Sequence, residues 1–336
     1  MSTAVVARAP GRVNLIGDHT DYTGGLALPL AIDREITVRG RWQDEPVLTL
    51  TSDQDPAPTT IPLPVVDLSA IGPEWARRVA AIADELKLER GFLGTVESTV
   101  PIGAGLSSSG ALGVAVALAL GAEAGRSRLE IARLCQRAQQ QATGVPAGVL
   151  DEMASLHGIE GHAILLDCHD LTVEPVSLPA DSRLVVVYVS HRTVVGSPYS
   201  DRVAACRAAE AEIGPLRLAG PEAVASISDP VLRARARHVV TENQRVLQCV
   251  DALRDGDLAE CGRLLTASHV SLRDDYEVST PALDSAVQDL LDTPGVYGAR
   301  LTGAGFGGCV IALTRPGAVT GGWVVRAVDG AGVVIA

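Results

Sequence analysis

The stretch "PIGAGLSSSGALGVAVALAL", Pro101–Leu120, changes character at its midpoint. Its first half is glycine and serine; its second half is an apolar helix former with scarcely a polar atom. Gly103 and Gly105 let backbone come close to a ligand, because glycine carries no Cβ and takes positive φ freely. The helix that follows opens with unpaired N–H groups and the positive end of its dipole, which attract anions. Ser107, Ser108 and Ser109 add hydroxyls. On these residues alone, a phosphate loop and a plain serine cap after a glycine turn are both open. Outward from this point, "GTVESTV" before the loop reads as a strand. A helix over Arg128–Thr143 follows, its limits set by the polar and apolar spacing. Upstream lie the strand-like runs "TAVVARA", "LALPLAI", "EITVRGRW" and "VLTLTS", then a Pro-rich loop, "DQDPAPTTIPLP". Next comes a helix over Glu74–Leu88, with Trp75, Val79, Ile82 and Leu86 at helical spacing. Downstream, "HAILLDC" and "LVVVYVS" are strands, 199–213 and 231–270 are helical, and "WVVRAV" closes the chain as a strand. Strands and helices mix without strict alternation, which predicts an α+β fold rather than a doubly wound parallel sheet. A boundary near "LPADSR" divides the chain into domains 1–181 and 182–336.

Composition narrows the function. The 336 residues carry a net charge of −12, with 47% hydrophobic and 20% charged residues. A chain this apolar builds a sizeable core, and one this acidic disfavours nucleic acid, whose affinity comes from neutralising phosphates. Lys87 is the one lysine. A Walker-type loop, a Schiff base and the strand lysine of protein kinases are thereby excluded. The six cysteines stand far apart with no CxxC pair, which argues against zinc and a disulfide framework and fits a reducing cytoplasm. No apolar run is long enough for a membrane span. The expectation is a cytoplasmic protein, a monomer with a dimer as the alternative, that acts on small molecules.

Three further motifs carry chemistry. In "GRVNLIGDHTDYTGG", Gly11–Gly25, an apolar strand runs into Asp18, His19, Thr20, Asp21 and Tyr22. No other His or carboxylate cluster completes a metal site at a characteristic spacing. Short polar side chains on a turn suit hydroxyl groups better, since carboxylates accept strong hydrogen bonds from them. In "GVPAGVLDEMASLHG", Asp151 stands in an apolar frame, where it reads either as a general base or as a helix-starting aspartate. "TGAGFGGCVIAL" contains GxGxxG, but a strand follows it rather than a helix. Both the dinucleotide fingerprint and the protein-kinase loop therefore fail. A glycine-dense turn beside a strand remains.

Taken together, "APGRVNLIGDHTDYTGG", "PIGAGLSSSGAL", "GVPAGVLDEMASL" and "GARLTGAGFGGCVIAL" resemble the galactokinases of the GHMP small-molecule kinase superfamily. "GSPYSDRVAAC", "RARHVVTENQRV" and "SLRDDYEVSTPALD" extend the resemblance over nearly the whole chain, in order. It implies an N-terminal domain like ribosomal protein S5 domain 2, a ferredoxin-like C-terminal domain, and phosphorylation of a sugar's anomeric hydroxyl with ATP and Mg2+. Asp151 falls on the catalytic base and Arg12 on its partner. Asp18, His19, Thr20, Asp21, Gly148 and Tyr199 fall on the sugar site. Gly103, Ala104, Gly105, Leu106, Ser107, Ser108 and Ser109 fall on the ATP loop, with Ser109 and Gln139 at magnesium-ligand positions. The chain departs from the family pattern at Asp18 and Gln139, where Glu is usual, at Ala147, where Cys is usual, and at Glu152, where Gln is usual. Two alternatives share the motifs. Asp18 and Gln139 point to a kinase of another sugar or a cyclitol. Gln139 alone points to a catalytically silent sugar- and ATP-binding regulator, against which Asp151 and Arg12 speak.

Overall fold

The structure, a computed structural model, describes residues 4–101, 103–146, 148–191 and 198–335. Ala147 and the first two residues of the "GSPYS" stretch fall outside them. The chain opens with β1 (Ala4–Asn14), a 3₁₀ turn at Asp21–Thr23, β2 (Leu26–Ala27) and β3 (Pro29–Gln43). It continues through β4 (Val47–Ser52), β5 (Asp55–Pro62), α1 (Glu74–Glu85), β6 (Gly91–Ser98), α2 (Ser108–Ala119), α3 (Arg128–Thr143) and α4 (Leu150–His157). The strands β7 (His162–Asp167), β8 (Thr172–Ser177) and β9 (Arg183–Ser190) follow. A helical stretch comes next: α5 (Tyr199–Ile213), α6 (Pro221–Ser226), α7 (Pro230–Arg254), α8 (Leu258–Asp274) and α9 (Pro281–Leu291). The last strands are β10 (Val296–Thr302), β11 (Gly308–Thr314), β12 (Trp323–Val325) and β13 (Gly332–Ile335).

Three sheets organise these elements. The first has the order β13-β1-β3-β6-β4-β5, the second β10-β11-β9-β12 and the third β2-β7-β8. Every pairing is antiparallel except β4 with β6. Helix α2 is buried on all sides from Gly110 to Ala119, because it lies between β1 and β3 beneath and α1, α3 and α4 around it. That position explains its lack of a polar stripe. Helix α3 starts at a capping box, Ser127 with Glu130, and α7 starts at Asp229 with Pro230 in its first turn.

Three expectations change. The Pro-rich segment is not a loop: it forms β5, paired only with β4 at the sheet's edge. An edge strand tolerates proline because one side of its backbone needs no ladder partner. The helical run 231–270 is two helices, broken at Gly256 (φ +73°), with Asp257 capping α8 through the Glu260 N–H. The chain's last residues do not stay in the second half, where a cut at 181/182 puts them. Asp33 N–H donates to the Arg326 carbonyl, Val328 N–H to that of Ala31, and β13 pairs with β1.

Candidate active site

A cavity of about 490 Å³ lies where β1, the turn after it, α1, α2, α3 and α4 meet the β10–β11 turn. At its centre Arg12, on β1, is ion-paired through Nη2 to Asp151 Oδ1 at 2.5 Å. Arg12 Nη1 also donates to the Gly105 carbonyl at 2.6 Å, so one buried guanidinium ties the carboxylate to the Gly/Ser loop. Asp151 occupies the first turn of α4. It stands against the start of α2, because Gly110 has no side chain there: a Cβ would lie 2.6 Å from Ser107 Oγ and 2.9 Å from Asp151 Cβ.

The turn after β1 is gripped from the second half of the chain. Asp18 Oδ2 accepts from Arg300 Nη2 at 2.5 Å and Oδ1 from the Gly303 N–H at 3.1 Å. Burial raises the Asp18 carboxyl against the opposing pull of Arg300. His238 Nε2 meets the Asp18 carbonyl at 3.1 Å, and Glu242 Oε1 accepts the Gly17 N–H at 3.0 Å. Asn243 Oδ1 accepts the Leu26 N–H at 2.8 Å. His19 takes a positive φ of 67°, and its Nδ1 lies 2.9 Å from the Tyr22 hydroxyl, with the Tyr199 ring beside it. Asp21 backs onto Gly148, where a Cβ would sit 1.6 Å from Asp21 Oδ2. Burial first, then the charges of Asp151 and Asp18, push the Asp21 carboxyl up to about 7. Asp18, His19, Asp21, Gly148 and Tyr199 all line the cavity.

Thr20 does not join them. It is fully buried, and its hydroxyl lies 2.8 Å from the Gly17 carbonyl and 2.7 Å from that of Leu26. It shapes the turn and has no face left for a ligand. Ala104 and Leu106 likewise are buried in the core and do not line the cavity.

The loop brings Gly103, Gly105, Ser107, Ser108 and Ser109 to the wall. Ser107 takes a left-handed φ of 59°, caps α2 without a side-chain bond, and keeps a buried hydroxyl with no partner among the described residues. Gln139, on α3, also lines the cavity, and its Oε1 is buried with no partner among the described residues. Glu152 Oε2 is in the same state, and burial, then Asp151, push that carboxyl up to about 8. Among the described residues no group of three His, Cys, Asp or Glu side chains forms a metal cage. Beside the carboxylates of Asp151 and Glu152, the loop and α3 bring the hydroxyls of Ser107, Ser108 and Ser109 and the Gln139 amide carbonyl to the wall. These neutral oxygens fit a hard cation that arrives with its own phosphate ligands. The roles of Arg300, His238, Glu242 and Asn243 were not read from the sequence. They lie within motifs quoted above for the resemblance, but nothing in their spacing ties them to Asp18.

The class follows from fold and site together. Residues 75–159 match the description "GHMP kinases N terminal domain" and 249–320 "GHMP kinases C terminal". The Methanococcus jannaschii mevalonate kinase structure shares this fold with a TM-score of 0.66 at 21% identity, over 92% of this chain and 90% of that one. The chain is therefore a kinase of the GHMP type. Residues 1–41, which hold the turn after β1, match "Galactokinase galactose-binding signature". A Mycobacterium bovis galactokinase is 42% identical over 91% of this chain and 87% of its own length. The structure of Lactococcus lactis galactokinase complexed with galactose superposes with a TM-score of 0.92 at 32% identity, covering 98% of this chain and 95% of that one. The chain belongs to the galactokinase family.

Proposed function

We infer that this chain transfers the γ-phosphoryl group of ATP to the anomeric hydroxyl of galactose, giving galactose 1-phosphate and ADP. The observation that carries the reading is the Arg12–Asp151 pair, set between the Gly/Ser loop and the turn of Asp18, His19 and Asp21 in one cavity. Asp18, His19, Asp21, Tyr199 and the backbone at Gly148 hold the sugar's hydroxyls. Asp151 accepts the anomeric proton, or orients it, as the hydroxyl oxygen attacks the γ-phosphorus and the bond to the β-phosphate oxygen breaks. Arg12 orients the Asp151 carboxylate and offsets charge on the transferring group. Backbone N–H groups of the loop and the start of α2 hold the phosphates without a lysine. Magnesium neutralises phosphate charge when bound, and Ser109 and Gln139 would hold it. Most of the acceleration is positioning and electrostatics.

Asp18 favours a second reading, a kinase of a related sugar or a cyclitol, because Arg300 and Gly303 already occupy its carboxylate. ADP release across a panel of sugars and cyclitols separates the two. Galactose should give the highest kcat/KM, and a substrate that exceeds it by tenfold overturns galactose as the acceptor.

A further inference from the structure

Among the described residues two arginines line the cavity, Arg12 and Arg78. Arg12 is engaged by Asp151 and the Gly105 carbonyl. Arg78 is different. It lies on α1, three residues after Trp75 and four before Ile82, so it shares the helix face that points inward. It is only 7% exposed. Its Nε is buried without a hydrogen-bond partner, and it forms no ion pair among the described residues. Burial lowers its pKa, while the more distant charges of Glu74, Glu152 and Asp151 hold it up. A guanidinium stays charged in proteins, and a buried charge without a hydrogen-bonding partner is costly to leave in place.

A phosphate oxygen satisfies that group. The cavity it faces also contains the start of α2 and the hydroxyls of Ser107 to Ser109, which are donors for an anion. Among the described residues no other arginine or lysine lines the cavity: Lys87, the one lysine, is an exposed residue paired with Asp84, and Gln139 brings no charge. We propose that Arg78 is a second phosphate-binding cation of the site, donating to phosphate oxygens of the bound nucleoside triphosphate from the α1 side, opposite Arg12. The inference rests on the kinase reading above. The competing structural role is charge balance: Arg78 would serve only to offset buried Glu152.

Equilibrium binding of ATP, ADP and AMP by calorimetry, at fixed magnesium, separates these roles. Wild type, R78M, R78K and the double variant R78M/E152Q are compared, and galactose binding checks the fold of each. In R78M the ATP affinity should fall at least tenfold and the AMP affinity less than twofold, with galactose binding kept. R78K, which keeps the charge and loses the planar fork, should fall between. R78M/E152Q should remain as weak toward ATP as R78M. If R78M binds ATP like wild type, or loses ATP and AMP equally, Arg78 does not touch the added phosphates. If E152Q restores ATP affinity to R78M, the role is charge balance. Should R78M lose galactose binding through misfolding, R78K alone decides, because wild-type ATP affinity in R78K overturns the assignment. Failure of wild type itself to bind ATP would sink the kinase reading instead.

Discussion

Asp151 and Gln139 illustrate how much one charge matters at this site. Asp151 differs from Asn by the charge that Arg12 Nη2 meets at 2.5 Å. Asp151→Asn keeps the shape and should keep ATP and galactose binding, while turnover falls roughly 10²-fold or more. Single-turnover rates beside calorimetry check this, and near-normal turnover in a folded variant removes Asp151 from the chemistry. Gln139 is the converse case. Its Oε1 is buried with no hydrogen-bond partner among the described residues, and it lacks the charge. Gln139→Glu should lower the magnesium concentration for half-maximal rate several-fold, since a carboxylate raises the field at a hard cation. A midpoint that stays or rises places Gln139 away from the metal.

Helices α2 and α4 meet start to start, and Gly110 sets how closely they do so. A Cβ there would need Ser107 Oγ and Asp151 Cβ to move, since both lie under 3.0 Å away. Gly110→Ala should gain helix propensity and still lose by overpacking, for a net destabilisation of about 1–3 kcal/mol. It should also displace Asp151 from Arg12, so that kcat falls more than galactose affinity. Urea unfolding and steady-state kinetics on the same variant report both effects. A Gly110→Ala enzyme with wild-type kcat would show that α4 yields without moving its carboxylate. The Cβ overlap at Gly262, 2.2 Å from the Tyr297 carbonyl, marks the same kind of close approach between α8 and β10, remote from the chemistry.

The assembled cavity concentrates carboxyls that the unfolded chain would leave dispersed. Asp21 rises from 3.8 to about 7, and Glu152 from 4.5 to about 8, each chiefly by burial. A carboxyl whose folded pKa is raised contributes stability that is full below its unfolded pKa and lost as pH rises through the folded one. The ligand-free protein should therefore lose stability between pH 6 and pH 8.5 through these two groups. Asp21→Asn removes one of them, so its melting temperature should gain on wild type across that window, by roughly 1–2 °C for about 1 kcal/mol in a chain of this length. Parallel melts at pH 6 and pH 8.5 test the sign, and an unchanged difference means Asp21 is ionised throughout. The opposite limb belongs to His238, whose pKa burial lowers to about 4. It is neutral against the Asp18 carbonyl, and the stability that depends on this is lost as pH falls from about 6.5 toward 4.

The sequence by itself determined the α+β class, the Gly/Ser loop ahead of an apolar helix and the limits of α3. It also excluded lysine-dependent phosphate binding, because these follow from local spacing, capping and composition. Asp18, His19 and Asp21 were legible as a cluster because a single turn holds them. The "DPAPTTIP" strand was not legible, since only its place at a sheet edge makes proline acceptable there. Nor was the return of the last strand to β1, a contact across most of the chain length. Arg78 left a faint trace, a charged residue in the apolar stripe of Trp75, Val79 and Ile82, which periodicity alone reads as a helix face. The grip of Arg300, His238, Glu242 and Asn243 on the turn after β1 left none. Residues more than two hundred positions apart come together only when α7 and β10 pack beside β1, and that packing is decided by burial over the whole core rather than by any local pattern.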